Sequence, residues 1–153
     1  MYKIVGNFDS DLIVYKEKDL FLKVVRLQSW GCTKKGRIFN EEDKLVLEYS
    51  HFEFIYTKIS ILYQDLPLKI NLNRRTLIKY DLNVGDVSLR IKFSFTSMSK
   101  KLCKIYINTK KVAVVKRNIF TFRNEMGIFI EQENEYELYL ILLLIMSITT
   151  LDT

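Results

Sequence analysis

Across residues 87–95, Val87, Leu89, Ile91, Phe93 and Phe95 alternate with Ser88, Arg90, Lys92 and Ser94 without a break. A period of two is that of a strand with one face buried and one in water, the habit of antiparallel sheets. The same signal recurs along nearly the whole chain. It marks YKIVGNF (2–8), LIVYKE (12–17), LFLKVVRL (20–27), GRIFN (36–40), KLVLEY (44–49) and FEFIYT (52–57). It continues through SILYQ (60–64), LKINLN (68–73), TLIKYD (76–81), LCKIYIN (102–108) and VAVVKR (112–117). IFTFR (119–123) and MGIFIEQ (126–132) read as one more hairpin about a turn at Asn124 and Glu125. Polar clusters at 7–11, 39–44, 83–86 and 108–111 separate the runs, as turn chemistry requires. About a dozen short strands at this spacing predict a sandwich or barrel.

Only residues 133–153, ENEYELYLILLLIMSITTLDT, break the period of two. Asn134 is a good N-cap, and Glu137 three residues later has the spacing of a capping box. Residues 138–151 then carry no charge and are apolar on every side, which predicts a helix over about 135–150. At 1.5 Å per residue the uncharged run reaches roughly 21 Å, short of a hydrocarbon layer about 30 Å thick. Ser147, Thr149 and Thr150 lower its hydropathy, and no Lys or Arg flanks it. A core helix is therefore the reading adopted over a membrane anchor.

Many antiparallel strands feeding one all-apolar C-terminal helix resembles the tubby C-terminal-like superfamily, which includes the LURP-one-related proteins and phospholipid scramblases. Residues 104–152 carry the resemblance: a strand, a polar turn, a Val-rich strand, an aromatic strand and an acidic strand lead into the helix. GRIFNEEDKLVLEY (36–49) is similar to the family's earlier hairpin with a charged turn. The resemblance implies a single domain over 1–153, an antiparallel closed barrel of about twelve strands around a buried hydrophobic C-terminal helix. It also implies a module at a membrane surface, since tubby domains bind phosphoinositides and scramblases act on lipid. None of that family's binding residues aligns position by position.

Charge sharpens this picture. Residues 1–53 balance nine basic against nine acidic side chains, 54–123 hold fifteen against three, and 124–153 hold none against six. A surface of one sign attracts polyanions or anionic lipid. Arg90, Lys92 and Lys104 fall on the outer parity of two neighbouring strands, and Arg74 and Arg75 form a doublet at an expected turn, as do Lys100–Lys101 and Lys110–Lys111. These five, Arg74, Arg75, Arg90, Lys92 and Lys104, are the candidate headgroup-binding residues. Near an anionic surface each such charge contributes about 1 kcal/mol. The plain alternative is that lysines solvate the outer face and discourage edge pairing.

Catalytic chemistry finds little purchase. His51, the sole histidine, is expected on the solvent face of its strand, opposite in parity to Phe52 and Phe54, with no carboxylate spaced to orient it. Cys32 and Cys103 form neither a disulfide framework nor a metal motif, and no glycine spacing makes a phosphate loop. The expectation is a non-enzyme without metal or cofactor. Two thiols and the absence of a secretory pattern at the N-terminus point to a cytoplasmic protein, peripheral at the membrane if it binds lipid. Two alternatives stay open: an intracellular scaffold or protein-interaction domain, and a nucleic-acid-binding domain. Against the latter, Phe93 and Phe95 fall on the inward parity, away from Arg90 and Lys92.

Overall fold

Among the described residues alternation becomes twelve strands. In the computed structural model they are β1 (Tyr2–Gly6), β2 (Leu12–Lys16), β3 (Asp19–Gln28), β4 (Thr33–Asn40), β5 (Leu45–Glu53) and β6 (Thr57–Gln64). Then follow β7 (Ile70–Thr76), β8 (Lys79–Val84), β9 (Val87–Phe93), β10 (Lys101–Ile107), β11 (Lys110–Asn118), β12 (Glu125–Ile130) and the helix α1 (Glu137–Ile148). The structure describes residues 1–6, 11–28, 31, 33–53, 57–76, 79–94, 101–118 and 125–148. The expected strand at IFTFR lies outside them, as do Phe95, Trp30 and Cys32. KLVLEY and the start of FEFIYT, read as two strands, are one continuous strand, β5.

All twelve strands belong to one antiparallel sheet in the order β6-β5-β4-β3-β2-β1-β12-β11-β10-β9-β8-β7. The chain meanders, and β1 zips to β12 from Tyr2↔Ile128 to Val5↔Glu125. The result is a nearly closed barrel. Eight strands are just filled by their own side chains, so twelve leave a lumen that needs a filler. An α-helix about 10–12 Å across with its side chains suits that space. From Tyr139 to Ile148 every residue of α1 is buried, against inward residues such as Ile4, Val14, Ile38, Leu47, Leu89, Ile105 and Ile128. Each fully buried large apolar side chain is worth about 1.5–3 kcal/mol. Ser147, also buried, donates its hydroxyl to the Leu143 carbonyl at 2.6 Å and so costs little. Residues 139–148 of the run that opened the question of membrane or core are core.

Closure differs from expectation at one place. Among the described residues β6 and β7 are the outer strands of the sheet, with no backbone ladder between them. The Gln64 side-chain amide stands in for a peptide there. Its Oε1 accepts from Ile70 N at 2.8 Å and its Nε2 donates to Ile70 O at 3.3 Å. The following connection, 65–69, is held to the helix by Leu68 N donating to the Tyr139 hydroxyl at 2.8 Å.

Two local expectations are corrected. Asn134 does cap, its Oδ1 accepting from Tyr136 N at 3.0 Å. Glu137, however, closes no capping box: its carboxylate accepts from the Tyr2 hydroxyl, with Lys16 Nζ at 3.4 Å, tying the helix start to β1 and β2. Burial and Glu137, in that order, push the Tyr2 phenol up to about 12. His51 faces the core at 1% exposure. The phase of β5 is set by Leu47 and Tyr49, which point inward and carry His51 with them, while Phe52 is only half-buried. Opposite Tyr49 stands Gly36, where a Cβ would lie under 3.0 Å from the tyrosine side chain.

Candidate functional site

Antiparallel alternation gives the barrel two unlike ends. The helix enters at the end formed by segments 17–18, 41–44, 65–69, 85–86, 108–109 and 131–136. These carry Glu17, Glu41, Glu42, Asp43, Asp65, Asp86, Glu131, Glu133 and Glu135 against Lys18, Lys44 and Lys69. Several are matched locally: Lys44–Asp65 at 2.7 Å, Lys23–Asp43 at 2.6 Å and Lys111–Glu131 at 2.6 Å. Exposed cations gather toward the other end, among them Lys34, Lys35, Lys58, Lys116 and Arg117. Among the described residues, acidic side chains thus outnumber basic ones at the helix-entry end.

The five candidate residues fall on four consecutive strands, β7 to β10. Arg74 and Arg75 lie within β7, opposite Asp81 and Tyr80 in register, and not at a turn. Lys110 and Lys111 likewise open β11 and follow the turn, which is made at Asn108 with φ 53. Arg90 is already engaged. Its Nε and Nη2 donate to Asp81 at 2.7 and 3.1 Å, a two-pronged pair across β8 and β9. That withdraws Arg90 from the set free to meet an external anion.

Lys92 and Lys104 remain, and they face each other directly across β9 and β10. On the other side Lys92 is register partner of Lys79 on β8, a residue the sequence reading did not single out. Three lysines thus occupy one row across three adjacent strands. At about 4.8 Å between strands the row spans roughly 10 Å. Like charges directly opposite are destabilising by up to about 1 kcal/mol a pair. Lys92 Nζ is 5.0 Å from the centre of the Tyr106 ring, a favourable cation–π contact, while Lys104 is exposed.

The row runs on through Val114 to Phe129 on β12, 41% exposed. Lys116 Nζ stands 4.8 Å from the Phe129 ring centre. Gly127 leaves room for that ring, since a Cβ there would meet its Cε2 at 3.0 Å. Phe129 was also missed; its outward parity follows from Met126 and Ile128 pointing inward.

The helix-entry end holds a cleft of about 590 Å³ with Phe21, Leu22, Val46, Leu66, Pro67 and Leu138 among its walls. Cys103 is buried beside the helix, and burial pushes its thiol up, away from the reactive thiolate. Among the described residues no group of three or more metal-ligating side chains occurs, and no helix is long and apolar enough to cross a membrane.

Fold and face together define a helix-filled antiparallel barrel with a polarised charge distribution. No family model, curated protein or solved structure matches the chain.

Proposed function

We propose that the protein is a non-enzymatic module that binds anionic phospholipid headgroups, of phosphoinositide type, at a membrane surface. The observation that carries this reading is the register row Lys79, Lys92 and Lys104. Stability alone is not served by stacking like charges, whereas phosphate groups offset their repulsion. Phe129 in the same row adds an exposed ring of the kind that settles at a bilayer interface. The resemblance of residues 104–152 to the tubby C-terminal-like superfamily points the same way.

The pairing of exposed or half-buried aromatics with lysines, Tyr106 with Lys92 and Phe129 with Lys116, favours a second reading. Single-stranded nucleic acid is bound by such stacking platforms in a basic groove. A scaffold role without a small ligand is the third.

Flotation with neutral and anionic vesicles, at low and high salt, separates these. Salt-sensitive flotation with anionic vesicles alone, weakened by Lys104→Glu, is the expected result. Failure to float with anionic vesicles at low salt removes the lipid reading. If a fluorescent single-stranded oligonucleotide then binds, the second reading takes its place; if it does not, the scaffold does.

A further inference from the structure

At about 590 Å³ the cleft beside the start of α1 falls within the range of small-molecule sites, roughly 300–1,000 Å³. Phe21 on β3, Val46 on β5, Leu66 and the helical Leu138 pack on the core but are only partly buried, and each lines the cleft. The frame is fixed on several sides. Asn40 closes the turn after β4, its Oδ1 accepting from Glu42 N at 3.1 Å and Lys44 N at 2.9 Å. Segment 65–69 is held by Asp65 N donating to Val46 O at 2.9 Å and by the bond from Leu68 N to the Tyr139 hydroxyl. Phe21 meets the Tyr2 ring edge-on, with centroids 5.2 Å apart. A frame already ordered costs little to occupy. The charged lining residues, Glu41, Lys44 and Asp65, are all exposed and form the rim. Lys44 and Asp65 satisfy one another at 2.7 Å, which leaves the Glu41 carboxylate, with exposed Glu42 next to it, to set the sign of the rim.

We infer that this cleft binds a small cationic amphiphile, an alkyl- or arylammonium whose apolar body lies against Phe21, Val46, Leu66 and Leu138 and whose ammonium meets the Glu41 carboxylate. Apolar contact supplies the affinity, and the charge-assisted bond at the rim sets sign and direction. An anionic amphiphile of the same length meets the wrong charge, since Lys44 is already held by Asp65. Leu138 belongs to α1, and the other walls to β3, β5 and the segment after β6. An occupant therefore ties the start of the helix to the wall and stabilises the native state by linkage. The inference stands apart from lipid binding by the row on β8 to β10, no residue of which lines the cleft.

The probe is decylammonium chloride, titrated below its micelle concentration into the full chain by calorimetry, with amide hydrogen exchange measured on the same mixture. Saturable binding with slowed exchange in 19–24, 44–47 and 137–142 is expected. Decanoate, with the same chain and the opposite charge, and methylammonium, with the charge alone, should each bind about tenfold more weakly or worse. Val46→Trp, which fills the cleft, should abolish binding and leave flotation with anionic vesicles unchanged. Glu41→Lys should weaken it about tenfold. Glu41 is exposed, so that variant keeps the test decisive if the substitution at Val46 disturbs folding. Absence of saturable binding, equal affinity for decanoate with the same segments protected, or an affinity unmoved by Glu41→Lys would each overturn the inference. So would slowed exchange confined to 79–107, or protection of the cleft that rises with protein concentration alone, which would assign it to a second copy of the chain.

Discussion

β1 and β12 are separated by nearly the whole chain and share an unbroken register, with Lys3 and Glu125 paired at 3.0 Å beside it. β6 and β7 are separated by residues 65–69 alone and, among the described residues, share no ladder. Proximity in sequence therefore does not decide which edges join. At the β1–β12 junction both strands keep their alternation in phase with the core. Tyr2 and Ile4 point inward opposite Ile128 and Met126, so every second rung that forms also buries an apolar pair. β6 has its extra residue at Leu62, and β7 has an irregularity between Leu72 and Arg74. Each bulge turns its strand locally, although β2–β3, β4–β5 and β10–β11 carry similar irregularities within intact ladders.

The largest test of this contrast removes what both junctions share. Truncation at Asn134 deletes the helix and should abolish cooperative folding, read as loss of a thermal unfolding transition. The buried side chains lost outweigh the 5–15 kcal/mol by which domains of this kind are stable, at about 1.5–3 kcal/mol each. Next, Ile4→Ala in the zipped junction should cost about 2–5 kcal/mol in urea denaturation. Gln64→Ala at the seam should cost about 1–3 kcal/mol, because it strands the N–H and C=O of buried Ile70. If Gln64→Ala proved the costlier, the seam would be the stronger closure and the comparison would invert.

A finer test uses pH. Tyr2 sits at the zipped junction with a phenol near 12 in the folded state, against about 10 unfolded. A raised folded value means that the native state holds its proton longer. The stabilisation is complete below pH 10 and is lost as pH rises from about 10 to about 12. Tyr2→Phe should flatten stability over that window, measured as the melting temperature against pH. The smallest effect is expected from Lys104→Glu, which sets an opposite charge beside Lys92. It should leave stability unchanged or raise it by up to about 1 kcal/mol while weakening flotation with anionic vesicles. A clear loss of stability would show that the lysine row serves the fold.

Much of the wall was legible because alternation and burial are the same fact seen in one and in three dimensions. The helix was legible for the converse reason, as the one stretch without a polar face. Phase was harder. For β5, the aromatic pair Phe52 and Phe54 suggested one parity, and Leu47 with Tyr49 imposed the other, which carried His51 into the core. Glu137 shows the limit of a local motif. The spacing of a capping box was present, but the carboxylate went to Tyr2 and Lys16, partners that only the closed barrel brings near. At the candidate site a usable signal was overlooked. A two-residue turn at Gly85 and Asp86 pairs Val84 with Val87, and counting outward gives Asp81 with Arg90 and Lys79 with Lys92. That count removes Arg90 and brings in Lys79. The row's continuation to Lys104 and Phe129 depends on how longer connections fold back, which no hairpin count supplies.

The helix that fills the lumen follows all twelve strands in the chain. During synthesis the wall is therefore made before its filling, and the inward faces of β1 to β12 emerge with nothing to bury them. Ten of the eleven strand pairings join consecutive strands and can form as the chain emerges, whereas β1 must wait for β12. The nascent protein spends its vulnerable interval as a string of half-apolar strands, each able to pair with a stranger. Completion of the core therefore waits for the apolar turns of α1, whose residues from Tyr139 to Ile148 are the ones that the wall encloses.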